Sequence, residues 1–158
     1  MPKQVAQEVL DFLAEQKTLT LATSGLDGPW AATLTYVNDG SEVFVWTKPS
    51  SNTAAHVDNN PTVAFAIDSY SDDWRQTKGV QGRGKASVLE GEGIAKAADL
   101  FGQKYPDLRP GSTSAIVFYR IDPAELEYID NSRGLEEGGD FGADFRRQSA
   151  FDLPAIDG

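Results

Sequence analysis

The chain has 158 residues, with 24 acidic against 14 basic side chains and a net charge of −10. That charge repels nucleic acid and anionic lipid at long range, so neither is an expected partner. There is no cysteine and one histidine, His56, which excludes disulfides, thiol nucleophiles, thiolate metal sites and a histidine-built metal centre within one chain. Hydrophobic residues make up 40%, with eight Phe, five Tyr and three Trp, as in a single folded domain. No apolar leader opens the sequence, and no run reaches the roughly 20 apolar residues of a membrane span. The expected location is cytoplasmic.

Residues 3–16 read as an amphipathic helix, because Val5, Val9, Phe12 and Leu13 recur at helical spacing. Thr18–Thr23 alternates leucines with threonines, as a strand does. Gly25-Leu26-Asp27-Gly28-Pro29 is turn chemistry, and Trp30–Val37 alternates again. Asn38-Asp39-Gly40 then turns the chain into Glu42–Thr47. These connections are too short for parallel crossovers, so the first half is a three-stranded antiparallel meander.

A short helix is predicted near 52–59, with Ser51 or Asn52 as its N-cap and Asn60-Pro61 as its stop. Thr62–Ile67 is an apolar, β-branched run and reads as a buried strand. Asp68–Thr77 is a polar loop bearing Tyr70 and Trp74, and Lys78–Leu89 reads as the longest strand. A second full helix covers Glu92–Tyr105, with Ile94, Ala97, Ala98, Phe101 and Tyr105 on one side, until Pro106–Pro110 breaks it. Ala115–Ile121 and Leu126–Ile129 read as two more strands around Asp122-Pro123. Together these predict a mainly β (α+β) fold, an antiparallel split β-barrel of about six strands with two main helices and one short helix. Strands regularly alternating with helices, the mark of a doubly wound sheet, are absent. Residues 1–135 form the expected barrel domain. Residues 136–158 read as an acidic, Gly-rich C-terminal tail, in which Phe141, Phe145 and Phe151 offer contacts to a partner subunit.

The site candidates lie between Glu42 and Ala86. Lys48-Pro49-Ser50-Ser51-Asn52-Thr53 places hydroxyl and amide groups between a strand end and a helix N-terminus. Free N–H groups and the positive end of the helix dipole favour an anion such as a phosphate there. Arg75, Lys78, Arg83 and Lys85 put four of the fourteen basic residues into one eleven-residue window. That is either a patch for a small anionic ligand or a solvated strand face. Within the same strand, Val80, Gly82, Gly84 and Ala86 share one face, and Gln81, Arg83 and Lys85 the other. A row of small residues admits a flat ring or another backbone, but it also relieves crowding at a barrel bend. His56, three residues after Thr53, reads as either a helix histidine or a ligand to a metal or haem. Asp72-Asp73 and Glu136-Glu137 follow no spacing motif and read as surface charge.

The order of these pieces resembles the FMN-binding split β-barrel family related to pyridoxamine 5'-phosphate oxidase, across residues 8–135. Ser50-Ser51-Asn52-Thr53 and Asn59-Asn60-Pro61 fall where that family has its phosphate loop, helix and exit. Lys78–Ala86 is similar to its central strand. Tyr119-Arg120-Ile121 with Pro123, and Ile129-Asp130-Asn131-Ser132-Arg133-Gly134, resemble closing elements of a subgroup of mostly uncharacterised members. The resemblance implies a homodimer with FMN in a groove at the subunit interface. It places Ala32, Thr33, Leu34 and Thr35 along the isoalloxazine ring, and Trp46 and Thr47 at the ring or ribityl chain. Ser50, Ser51, Asn52 and Thr53 would hold the phosphate, and Lys78 and Gln81 would add polar contacts. The implied activity is that of a flavin-dependent oxidoreductase, passing a hydride or electrons between a nicotinamide cofactor and a small-molecule substrate.

One departure stands out. Many members carry Arg-Lys where this chain has Asn52-Thr53, and each charge-assisted contact is worth about 1.5–3 kcal/mol. Lys48, Arg75, Lys78 and Arg83 are the cations available to replace them. The alternative is a non-catalytic binding or sensing protein for flavin, a deazaflavin or haem on the same barrel. Pyridoxamine 5'-phosphate oxidase activity itself is not implied. Near the C-terminus only Arg133, Arg146 and Arg147 stand in for that enzyme's basic substrate-binding residues.

Overall fold

The computed structural model describes residues 5–108, 115–133 and 147–149. Phe141, Phe145, Phe151, Arg146 and the Glu136-Glu137 pair lie outside them. The first helix, α1 (Gln7–Glu15), buries Val9, Phe12 and Leu13 at the spacing of one helical face. Two strands follow, β1 (Thr18–Gly25) and β2 (Gly28–Asp39). They pair from Thr18↔Thr35 to Gly25↔Gly28, leaving Leu26-Asp27 as a two-residue turn. Gly28 there has φ +104, which glycine alone adopts readily. Next come β3 (Glu42–Thr47), α2 (Asn52–Asn59), β4 (Thr62–Ser69) and β5 (Lys78–Val88). After α3 (Glu92–Lys104), β6 (Val117–Asp130) completes the barrel, and β7 (Arg147–Ser149) pairs with its outer end.

The sheet runs β3-β2-β1-β4-β5-β6-β7, and β3 also pairs with β6. Six antiparallel strands therefore close on themselves. Closure is only partial along β6. Residues 117–121 pair with β3, whereas 127–129 pair with β7, and that divergence is the split in the barrel. β6 corrects two sequence expectations. It is one bent strand of 14 residues where two were expected, and it exceeds β5, which has 11. A register shift at Arg83/Gly84 lets Asp122-Pro123-Ala124 bulge without ending the ladder.

Alternation sorts the side chains. Leu19, Leu21, Val63, Phe65, Ile67 and Val80 point inward into one core cluster, while Thr20, Ala64, Ala66 and Gln81 face outward and are exposed. The helices close the barrel at opposite ends. α1 lies at the end holding Thr18, Ser69, Lys78 and Asp130, where the Tyr36 hydroxyl donates to the Leu13 carbonyl and Phe12 meets Tyr128 edge-on at 5.9 Å. α2 lies at the other end, with Ala54 and Val57 in the same core. α3 covers the outer face of β2 and β3, where Val37, Phe44 and Phe118 form a second cluster with Ala97 and Phe101. Among the described residues no helix is long and apolar enough to cross a membrane.

Candidate functional site

The junction of β3 and α2 is built from hydroxyls. Ser51 is the N-cap of α2, and its Oγ accepts the Ala54 N–H at 3.1 Å. Thr47, the last residue of β3, donates its hydroxyl to the same oxygen at 3.1 Å. With both acceptor positions taken, the Ser51 proton is left to donate outward. The first turn of α2 holds no acidic residue, so nothing there opposes the positive end of the helix dipole. Ser50, Asn52 and Lys48 are exposed around this cap, whereas Thr53 is buried. The result is a partly exposed helix start flanked by hydroxyls, with Lys48 as the cation nearest in sequence.

The structure separates the other expected site residues. Trp46 and Thr47 take opposite sides of β3. Thr47 turns toward Ser51, and Trp46 packs under α3 with the second cluster. The Trp46 Nε1 is enclosed and has no partner among the described residues. On β2, Leu34 turns to the core, and Thr33 is exposed on the outer face. Ala32 and Thr35 are half-buried. Gln81 lines an outer groove of about 730 Å³ across β1, β4, β5 and β6. Its floor is Ala22, Ala64 and Ala66, and Arg83 and Glu125 pair at its edge at 3.2 Å. Lys78 sits at the α1 end, in a recess of about 400 Å³ shared with Glu8, Asp11 and Glu15. Ser51 and Lys78 therefore occupy opposite ends of one barrel, and Gln81 lies on its outer wall.

The stripe of small residues on β5 resolves as barrel packing. Val80, Gly84 and Ala86 are buried toward the interior. A Cβ at Gly82 would fall 2.5 Å from the Phe65 ring, and one at Gly84 would fall 1.9 Å from the Asp122 carbonyl oxygen. Core and backbone already fill the space that a flat ring would need. Arg75 stacks on the Trp74 ring at 4.8 Å and pairs with Asp73 at 3.2 Å, so the basic window is dispersed over several surfaces.

His56 is neither a surface histidine nor a group open to a metal. It is 6% exposed, with Nδ1 3.0 Å from the Thr23 hydroxyl and Nε2 2.8 Å from Asp27 Oδ1. The carboxylate only accepts, so Nε2 donates to it, and in the neutral ring Nδ1 accepts the Thr23 hydroxyl. The hydrogen bond from His56 holds the Asp27 carboxyl below its usual range. Thr23 and Asp27 carry no signal in the sequence beyond one histidine and a polar turn. Among the described residues no cluster of three or more acidic or histidine side chains is arranged for a metal ion.

A UPF0306 protein of Photorhabdus laumondii is 29% identical over 126 residues, which is 78% of this chain and 86% of that protein. A conserved hypothetical protein of Mycobacterium tuberculosis has a similar structure, with a TM-score of 0.71 and 24% identity, covering 90% of this chain and 97% of that one. The heme storage protein HutZ of Vibrio cholerae matches with a TM-score of 0.68 and 21% identity, covering 78% and 93%. At these identities the two structures speak for the fold. The pyridoxamine 5'-phosphate oxidase family matches residues 5–130, from α1 to the end of β6, and the chain belongs to that family.

Proposed function

We propose that this chain binds a flavin, FMN, with its phosphate at the start of α2, and works as a flavin-dependent oxidoreductase on a small molecule. The observation that carries the reading is the Thr47–Ser51–Ala54 cradle, at the place where the family resemblance expects the phosphate. Ser50, Ser51 and Asn52 would hold the phosphate, and Thr53 would support them from the buried side. Bound flavin supplies the electron-transfer chemistry, and the protein binds and orients it. The reading includes a homodimer. Lys78 lies at the opposite end of the barrel from Ser51, and Gln81 on its outer wall. The outer face of Thr20, Ala64, Ala66 and Gln81 is exposed, and a second copy seated on it would bring such residues toward the junction.

A second reading follows from Asn52 and Thr53. No cation stands in the first turn of α2, and HutZ, a heme storage protein by name, shares the fold. On that reading the barrel binds a planar group, deazaflavin or haem, without catalysis. Both His56 ring nitrogens are engaged, so a haem iron would need another ligand.

The visible spectrum of the purified protein, before and after FMN is added, tests both. Flavin bands that stay with the protein through gel filtration, and bleach with a nicotinamide reductant, are expected. In Ser51→Asp, FMN should no longer bind, because a carboxylate replaces the outward donor. FMN retained by Ser51→Asp would remove the cradle from the site. A Soret band in place of flavin bands would establish the second reading.

A further inference from the structure

We propose that His56 is the positioning residue of the site at the start of α2: its imidazole, pegged to Thr23 and Asp27, fixes the rotation of the helix and so the direction of Ser51 and the first-turn amides. The inference rests on the start of α2 being the ligand site. α2 has eight residues, and isolated helices below about 12 residues are marginal in water. Its orientation must therefore come from tertiary contacts. Ala54 and Val57 contribute apolar burial, which is non-directional. At the C-terminal end, Asn60 Nδ2 donates to the Ser24 hydroxyl at 2.9 Å, one full helix away from the cradle. His56 is the directional contact in the middle, one turn after Asn52 and Thr53, where side chains three and four apart share a face.

The receptacle for the ring is built on the β1–β2 hairpin. Thr23 binds one nitrogen, Asp27 the other, and Gly25 makes the room between them. A Cβ at Gly25 would lie 2.7 Å from His56 Cδ2 and 2.9 Å from Nε2. Losing the Thr23 bond leaves a buried ring nitrogen unpaired, losing the part-buried Asp27 bond releases Nε2, and either lets the ring, and α2 with it, turn. The same rotation carries Ser51 Oγ, which reports it through its bond from Ala54 N–H. Asp27 stands 75% exposed at its side chain, so it can be changed with little effect on the core.

Thr23→Val and Thr23→Ser separate positioning from packing in the full chain. Valine keeps the volume and removes the hydroxyl, and serine does the reverse. Two quantities are read: FMN affinity by fluorescence quenching, and hydrogen exchange at the Ala54 and Ala55 amides. Thr23→Val should weaken FMN and speed exchange at both amides by about three- to ten-fold, the effect of one net hydrogen bond. Thr23→Ser should leave both within about twofold of the parent, within the scatter expected where no hydrogen bond is lost. Asp27→Ala should act like Thr23→Val, and Asp27→Asn, which keeps an acceptor, should restore the parent behaviour. A Thr23→Ser variant as damaged as Thr23→Val would reduce His56 to packing and overturn the proposal. So would unchanged exchange at Ala54 in both Thr23→Val and Asp27→Ala. If the parent ignores FMN yet exchange follows the predicted pattern, positioning stands and the flavin reading falls. If the parent binds FMN and neither variant changes either quantity, the reverse holds.

Discussion

Gly84 and Arg83 are adjacent in β5 and lie on opposite faces of the strand. Arg83 reaches an exposed pair with Glu125 at 3.2 Å on the outer wall. Gly84 meets the Asp122 carbonyl across the bulge of β6, and backbone cannot move aside as a flexible side chain can. Gly84→Ala should therefore cost about 1–3 kcal/mol or more by overpacking. Arg83→Ala should cost no more than about 1 kcal/mol, as exposed ion pairs do. Urea unfolding of the two variants checks the contrast. Equal midpoints would mean that the strand yields at the bulge. The sequence left the row of small residues open between a ligand floor and a barrel bend. What decides it is Asp122, 38 positions along the chain, which no local pattern reveals.

Elements differed in how much of them could be read from the sequence, and the reason is where their partners lie. α2 was legible because its cap at Ser51 and its stop at Asn60-Pro61 are local in sequence. In the sequence, Asp122-Pro123 looks like a break that divides β6 into two strands. The continuity of β6 depends on pairing with β3 and β5, which are distant in sequence. Ser51, the cap of the β3–α2 junction, stands in a run of Ser, Ser, Asn and Thr, and its partner Thr47 lies only four residues before it. The Thr23–His56–Asp27 contact is not local, since His56 is 33 and 29 residues from its partners. The Asp130-Asn131-Ser132-Arg133 segment became interpretable only in three dimensions, as a clasp. Asp130 accepts the Ser132 N–H at 2.9 Å and its hydroxyl at 2.6 Å. Arg133 then forks onto Glu8 of α1 at 3.0 and 2.6 Å. Glu8→Gln keeps the side-chain length but loses the charge of that fork. Hydrogen exchange in α1 should accelerate about fivefold, equivalent to about 1 kcal/mol for a partly exposed pair, while β4 and β5 keep their protection. Uniform acceleration in all elements would mean that α1 opens only with the whole barrel.

At the scale of the whole molecule, the buried phenols of Tyr119 and Tyr128, the half-buried Tyr105 and the half-buried amine of Lys104 set the alkaline response. Desolvation pushes Tyr105, Tyr119 and Tyr128 up to about 12, above the value near 10 of an unfolded chain. Their stabilisation is full below pH 10 and is lost as pH rises from 10 to 12, where the unfolded chain sheds protons that the barrel keeps. Lys104 works in the other direction. Its amine donates to the Gln16 carbonyl, lies over the Tyr36 ring at 4.3 Å, and is lowered by burial, with Lys17 adding repulsion, to about 8 from 10.5. The unfolded chain therefore binds more protons between pH 8 and 10.5, so stability gains across that window as pH rises. Thermal melting from pH 7 to 12 should give a melting temperature that holds or climbs from pH 8 to about 10, then falls steeply. Lys104→Met has no amine to titrate, so its melting curve should lose the gain below pH 10 and keep the fall above it. A Lys104→Met curve parallel to that of the parent from pH 8 to 10 would show that the amine beside Gln16 and Tyr36 is not desolvated. A fall beginning well below pH 10 in both proteins would remove the tyrosines as its cause.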